Sequence, residues 1–130
     1  KLRTEVAGVD LPGLAAGLDD AGADVVHVDA MDSEGVVAEV VAATDCAVVA
    51  NNGVRDRATV REYLACGADA VSVGRPSDDP RVLRRVRRAV DEWFDAESAA
   101  GSGAAPASES EAAPATADGE PATAPGGSEQ

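Results

Sequence analysis

Two dipeptides at the ends of Val-rich runs carry the strongest chemical signal in this sequence. Asn52-Gly53 follows one run and Gly74-Arg75 follows the next. Glycine lets backbone N–H groups approach an anion closely, the start of a following helix adds partial positive charge, and arginine adds a bidentate cation. Either dipeptide alone would be an ordinary turn or surface loop. Together, at the ends of successive strands, they predict a phosphate-binding site.

Further polar residues lie inside strand-like segments. Lys1, Arg3 and Glu5 alternate, so Lys1 and Arg3 point to the same face of a strand. Two cations facing the interior of a fold require an anionic or electron-rich ligand, whereas at an exposed strand end they would be solvated. His27, the only histidine, precedes Asp29 by two residues in a Val-rich run. A structural role and a ligand-binding role for His27 are both open at this point.

The other reactive groups indicate neither a metal site nor a disulfide scaffold. Cys46 and Cys66 stand singly in apolar contexts without metal-ligand spacing. The net charge of −13 argues against a protein that coats nucleic acid, which would normally be basic. One basic run is interpreted as the solvated face of a helix paired with local acids, with an RNA-binding face as the alternative: Arg81, Arg84, Arg85, Arg87 and Arg88.

A repeated βα unit positions these residues. The segment 21–28 (AGADVVHV) resembles 66–73 (CGADAVSV), and each copy places a glycine where a helix would end, followed by a β-branched run. Strands are predicted at 1–6, 25–30, 47–51 and 70–74, and helices at 11–21, 33–43, 56–66 and 80–94. The expected apolar helix faces include Leu11, Leu14, Ala15 and Leu18; Val60, Tyr63 and Leu64; and Leu83, Val86, Val90 and Phe94.

The order βαβαβαβα predicts an α/β fold with parallel strands. Helical crossovers between parallel strands give either a doubly wound sheet or part of a TIM barrel, and in both the functional residues lie at the C-terminal ends of the strands. A complete barrel needs eight such units, so four units would form half of a (β/α)8 barrel.

Composition changes after residue 95. Residues 96–130 are almost entirely Ala, Gly, Ser, Pro, Glu and Thr, with six acids and no base. Such a segment cannot bury enough apolar surface to offset the entropy of ordering it. The sequence therefore divides into a half barrel at 1–95 and a disordered acidic tail at 96–130.

Charge and hydropathy indicate the environment of the chain. Ten of its eleven basic residues are arginine, and many acids with few aromatics fit a halophilic cytoplasm, although a GC-rich genome favours the same composition. No apolar run approaches the roughly 20 residues of a membrane span, so we expect a cytoplasmic protein. Because the chain opens at Lys1 inside a predicted strand, we expect a processed chain or a piece of a longer one.

The ordered set of motifs resembles the C-terminal half of the tRNA-dihydrouridine synthase family, especially its archaeal relatives. Members are flavoproteins with an FMN-binding TIM barrel, and they show a Lys-x-Arg strand, a Val-His strand end, Asn-Gly-Asp and Ile-Gly-Arg. The matching residues here, spread over about 1–95, are Lys1-Leu2-Arg3, Val26-His27, Asn52-Gly53 and Val73-Gly74-Arg75.

The resemblance implies an FMN-dependent oxidoreductase that uses NADPH to reduce its flavin and transfers hydride to the C5–C6 bond of a uridine. It implies that Lys1 contacts the flavin ring, that His27 hydrogen-bonds the flavin or its ribityl-phosphate side, and that Arg3 lies near the substrate base. The phosphate would be held by Asn52, Gly53, Gly74 and Arg75. The family's proton-donating cysteine belongs to the N-terminal half, so no catalytic residue is assigned here.

Departures from the family pattern leave the substrate open. Val28-Asp29-Ala30 follows His27 where the family usually has Gly-Arg-Thr, Val54 replaces the aspartate of Asn-Gly-Asp, and the acidic tail stands where a helical tRNA-binding domain would follow. The substrate is therefore tRNA or a free pyrimidine, the latter as in dihydroorotate or dihydropyrimidine dehydrogenase-like flavoproteins. An inactive phosphate-binding half barrel is a third possibility. Two open sheet edges predict a partner, either an N-terminal half barrel or a second copy.

Overall fold

The computed structural model describes residues 1–4, 6–30 and 33–102 of the chain. Parallel strands and helices alternate as the sequence predicts, and a short 3₁₀ helix precedes the last helix. The strands are β1 (Leu2–Arg3), β2 (Val25–Asp29), β3 (Ala47–Asn51) and β4 (Ala70–Ser72). The helices are α1 (Leu11–Asp20), α2 (Glu34–Ala43), α3 (Arg57–Ala65) and α4 (Pro80–Ser102), with the 3₁₀ helix at Arg75–Asp78.

The four strands form one parallel sheet in the order β1-β2-β3-β4. Arg3 is level with Asp29, Asp29 with Asn51, and Asn51 with Ser72. This register aligns the C-terminal ends of the strands at one edge of the sheet, called the rim from here on. Since strand order follows chain order without a reversal, the sheet lacks the switch point of a doubly wound fold.

The two faces of the sheet differ in cover. One face of the sheet packs against all four helices in a single apolar core. The strand residues buried on this face are Leu2, Val26, Val28, Val48 and Ala50. Their neighbours in sequence point the other way and are exposed or half-buried, with Val25 56% exposed. We call this second face the open face.

The sequence repeat is also a structural repeat. After α1, Gly22 donates to Asp19 O and Ala23 to Leu18 O; after α3, Gly67 donates to Leu64 O and Ala68 to Tyr63 O. Both glycines have positive φ, +90° and +95°. The 6→1 bond closed by a left-handed glycine is the Schellman end of a helix. The same ending therefore directs the chain into β2 and into β4.

Element bounds agree closely, with two exceptions. β1 spans only Leu2–Arg3, and Glu5 lies outside the described residues. α4 continues to Ser102, so the predicted disorder is wrong for residues 96–102, while 103–130 lie outside the described residues. The Ala-rich sequence after Phe94 is compatible with helix, and extending an existing helix adds one hydrogen bond per residue without a new nucleus.

The buried face of α4 is displaced from the predicted one. Leu83 and Phe94 are 41% and 39% exposed, and Leu14 of α1 is 44% exposed. Val86 and Val90 of the predicted stripe are confirmed, since Val86 lies in the core with Ala89 and Val90 packs against it with Val82 and Trp93. The predicted stripe followed the largest apolar side chains and therefore overlooked the small Ala89. In the described part of the chain, no helix is both long and apolar enough to cross a membrane.

Candidate functional site

A cavity of about 510 Å³ opens at the rim, over the C-terminal ends of all four strands. Five of the residues singled out from the sequence line it, and they are Arg3, Asn52, Gly53, Gly74 and Arg75. Asp29, Asn51 and Arg55 line the same cavity. The parallel register thus gathers polar groups that are up to 72 positions apart in the chain, as predicted for the ends of parallel strands.

Three guanidinium groups give the cavity its charge. Arg3 ends β1, Arg55 lies in the loop after β3, and Arg75 begins the 3₁₀ helix after β4. Neither Arg3 nor Arg75 forms an ion pair with another described residue. Arg55 lies 3.9 Å from Asp56 and donates to Gly53 O at 3.3 Å. Unpaired arginines around a concave surface are suited to binding an anion such as a phosphate.

The loop after β3 turns through two consecutive residues with positive φ, Asn52 and Gly53. Asn52 and Gly53 have φ of +91° and +71°, a region that glycine adopts freely and asparagine tolerates better than most residues. The Tyr63 hydroxyl of α3 donates to Asn52 O at 2.7 Å. Asp56 caps α3 by accepting from Thr59 N at 2.9 Å, and the Thr59 hydroxyl oxygen in turn accepts from Asp56 N. The loop is therefore anchored on α3.

Asp29 joins three parts of the rim. Its Oδ2 lies 3.1 Å from Lys1 Nζ, and its Oδ1 accepts from Asn52 Nδ2 at 3.0 Å. The Asp29 side chain is only 16% exposed. Partial burial raises the pKa of this carboxyl, but the hydrogen bonds from Asn52 and Lys1 and the charges of Lys1 and Arg3 outweigh it, and the net pKa is lowered. Asp29 is therefore a carboxylate at neutral pH.

His27 belongs to a second polar chain on the open face. Its Nε2 lies 3.2 Å from Ser72 Oγ, and Ser72 Oγ donates to Asn51 Oδ1 at 3.0 Å. Since the single hydroxyl proton goes to Asn51, Ser72 accepts from His27 Nε2–H, which leaves Nδ1 unprotonated. Burial, followed by the charge of Lys1, lowers the pKa of His27, and Asp29 opposes this only in part. His27 is therefore a neutral imidazole at pH 7.

The seven predicted site residues are brought to one end of the molecule, but not all into the cavity. Lys1 and His27 lie on the open face and do not line it. Lys1 is connected to the cavity by its ion pair with Asp29. His27 is connected to it by hydrogen bonds through Ser72 to Asn51. Asn51, Ser72 and Arg55 are not among the residues that the sequence predicts for the site. The alternation of side chains along β3 predicts which face Asn51 occupies, but its contact with Ser72 depends on the register of β3 with β4.

In the arginine run of α4, ion pairs with acids of the same helix are described for two of the five residues, Arg87 and Arg88. Arg87 lies 3.4 Å from Asp91, Arg88 3.0 Å from Glu92, and Arg57 of α3 2.9 Å from the same Glu92. All three arginine side chains are more than 60% exposed. Such pairs contribute little to stability and leave this surface a solvated helix face.

The cysteines are placed as structural residues. Cys46 is buried and its Sγ contacts Ala23 O at 3.0 Å. Burial, with the charges of Glu62 and Glu34, raises the pKa of the Cys66 thiol, which makes it a poorer nucleophile. Within residues 1–4, 6–30 and 33–102, no three His, Cys, Asp or Glu side chains gather as a metal site would require.

No protein-family model matches the chain, and no curated protein matches it with significant similarity. What the rim can bind therefore rests on its own geometry and charge.

Proposed function

We propose that the rim binds the phosphate of FMN and that the chain is the phosphate-binding half of a (β/α)8-barrel flavoprotein oxidoreductase, similar to the tRNA-dihydrouridine synthases. One observation carries the proposal. Arg3, the Asn52-Gly53 turn and the Gly74-Arg75 turn come from three strands and surround one cavity. Strand ends of this kind form the common phosphate site of TIM barrels, over the last two strands.

The residues present fit a phosphate ester. Three guanidinium groups border the cavity, and two of them have no ion-pair partner among the described residues. Gly53 has positive φ, and the nearest atom to a Cβ placed there would be Arg55 Nη1 at 3.8 Å. The backbone can therefore approach an anion without a side chain in between.

The open face suits the uncharged remainder of a flavin nucleotide. Lys1 would supply positive charge beside the ring, and His27 would offer an unprotonated Nδ1 as a hydrogen-bond acceptor. Arg3, at the rim, would lie nearest the substrate base. Reduced FMN bound there would supply the hydride for the C5–C6 bond of a uridine, with NADPH as the source of electrons.

A free pyrimidine is the alternative substrate, and Asp29 favours it. A carboxylate occupies the rim position where the tRNA-dihydrouridine synthases usually have an RNA-facing arginine, and an acid there repels a polynucleotide backbone. Activity on unmodified tRNA and on free pyrimidines such as dihydroorotate would separate the two. Phosphate binding without activity on either substrate would favour the third alternative, a non-catalytic phosphate-binding half barrel.

A second set of four βα units is part of the proposal. Strand order and parallel pairing are compatible with half of a barrel, with open edges at β1 and β4. Val6, Val9 and Leu14 are exposed beside β1, and Leu83 and Phe94 on α4. An N-terminal half barrel or a second copy would cover these surfaces. Light scattering at high salt tests this, because a compact monomer of this chain alone that melts cooperatively would contradict it.

Arg75→Ala tests the phosphate site directly. Loss of a charge-assisted hydrogen bond should weaken FMN by about 1.5 to 3 kcal/mol, measured in the full protein by quenching of flavin fluorescence. Arg84→Ala is the matched control, since Arg84 lies on α4 away from the rim, and should leave affinity unchanged. Equal affinity in the Arg75 variant would remove that residue from the site. A wild-type protein that does not bind FMN would overturn the proposal.

A further inference from the structure

Asp29 is the acid that lines the rim cavity, and its carboxylate contacts two other segments of the chain. It accepts from Lys1 of the β1 segment at 3.1 Å and from Asn52 of the β3–α3 loop at 3.0 Å, and it lies level with Arg3 and Asn51 in the sheet. Among the described residues, the Lys1 ammonium has no other ion pair and the Asn52 amide no other side-chain hydrogen bond. The positions of both groups therefore depend on one carboxylate.

We propose that Asp29 is the positioning residue of the rim site, holding Lys1 and Asn52 in place for a phosphate-bearing ligand. This role rests on the proposed function and extends it, because Asp29 would act by holding its two neighbours and not by binding the phosphate itself. A lysine ammonium stands on a flexible four-carbon chain, so fixing it before a ligand arrives lowers the entropy cost of binding. The same carboxylate fixes the orientation of the Asn52 amide.

Asp29 also divides the rim by charge. Its carboxylate offsets one of the two cations over β1 and β2, Lys1 and Arg3, while Arg55 and Arg75 remain over β3 and β4. The β1–β2 side therefore keeps less positive charge than the β3–β4 side, and an anionic group is drawn more strongly to the β3–β4 side. A ligand with one anionic end and one uncharged end would therefore favour one orientation.

The competing explanation makes the opposite prediction. If Asp29 were only a negative charge near an anion site, its removal would raise the local potential and strengthen anion binding. If Asp29 positions Lys1 and Asn52, its removal weakens binding although the site becomes more positive. The sign of the change in affinity therefore decides between the two.

Inorganic phosphate is the probe, titrated into the full protein at fixed ionic strength. Asp29→Asn should weaken phosphate binding about fivefold, which is the net worth of one typical intramolecular hydrogen bond. Asp24→Asn is the matched control, because Asp24 is an exposed acid just before β2 with no side-chain contact described, and affinity should stay within twofold. Unchanged or stronger binding in Asp29→Asn overturns the proposal.

A double-mutant cycle keeps the test decisive if one variant is unstable. Asn52→Ala should weaken phosphate binding, and adding Asp29→Asn should cost less than it does alone, because both changes remove the same contact. Fully additive effects would contradict the role of Asp29 in positioning Asn52.

A ligand-free measurement separates this inference from the proposed function. Lys1 is the only lysine of the chain, so its side-chain ammonium gives one NMR correlation, and the Asn52 amide gives a second reporter. Both signals should shift in Asp29→Asn and return toward wild type in Asp29→Glu. If they do so while wild type fails to bind FMN, the proposed function fails and the positioning role stands. If wild type and Asp29→Asn bind FMN equally, the positioning role fails.

Discussion

The two faces of the sheet are built from alternate residues of the same strands, yet they have different roles. Val26, Val28, Val48 and Ala50 are at most 2% exposed and pack with the helices. His27, Asp29 and Asn51, their direct neighbours, form polar contacts on the open face. Because side chains alternate along a strand, one short segment can carry part of the core and part of a candidate binding site. Substitutions one residue apart should therefore affect different properties.

The largest contrast is expected at Val48 and Val49. Val48 is 1% exposed in the core, so Val48→Asp would bury an unpaired charge and cost more than about 4 kcal/mol of unfolding free energy. Val49 is half-buried on the open face, and Val49→Asp should cost about 1 kcal/mol or less. Urea denaturation followed by circular dichroism gives both values. Similar losses at the two positions would show that the open face is also packed.

Tyr63 links the core to the rim and tests how separate the two faces are. It is 3% exposed, and its hydroxyl donates to Asn52 O at 2.7 Å. Tyr63→Phe keeps the ring but removes this donor, which should cost about 1 to 2 kcal/mol of stability and also weaken phosphate binding at the rim. Isothermal titration with inorganic phosphate, beside thermal melting, checks both. A loss of stability with unchanged phosphate affinity would mean that the loop does not depend on this bond.

A smaller effect is expected from the helix cap below the site. Asp56 forms a reciprocal capping box with Thr59, whereas Asp10 caps α1 with a single side-chain bond to Gly13 N. Asp56→Ala should cost about 1 kcal/mol, and Asp10→Ala less. The Thr59 backbone N–H lowers the pKa of Asp56, so the part of its stabilisation due to this bond is lost as pH falls below about 4. Equal losses in the two variants would show that the reciprocal bond adds nothing.

The smallest effect concerns the pH dependence of the open face. The pKa of His27 is lowered in the folded protein, so the unfolded chain binds more protons once pH falls below about 6.5. Stability should therefore be complete above that pH and decline as pH falls below it. His27→Gln should flatten this part of the profile, measured by urea denaturation between about pH 5 and 8. A wild-type protein that becomes more stable as pH falls through this range would contradict the assignment of His27 as a neutral imidazole.

Local pattern was sufficient to predict the order of strands and helices and to predict that five of the candidate residues lie together at one edge of the sheet. The glycines at 22 and 67 stop helices, and Val-rich runs define β2 and β3, because these choices depend on neighbours in sequence. The hydrogen bond from Ser72 to Asn51 was not predictable, since it requires the register of β3 against β4. Similarly, Asp29 was seen beside His27, but its pairing with Asn52 depends on a loop from another strand.

The Asn52-Gly53 turn also makes the rim sensitive to deamidation of Asn52 over time. A glycine after asparagine leaves its backbone nitrogen unshielded, and attack of that nitrogen on the side-chain amide releases ammonia and forms a cyclic imide. Water then opens the imide to aspartate or isoaspartate. Asparagine is for this reason among the thermolabile residues of proteins. At Asn52 the change would replace the Nδ2 donor with a carboxylate oxygen facing Asp29, so an attraction over 3.0 Å would become a repulsion. Deamidation of this one side chain would therefore remove the contact between Asp29 and the β3–α3 loop and would leave the core unchanged.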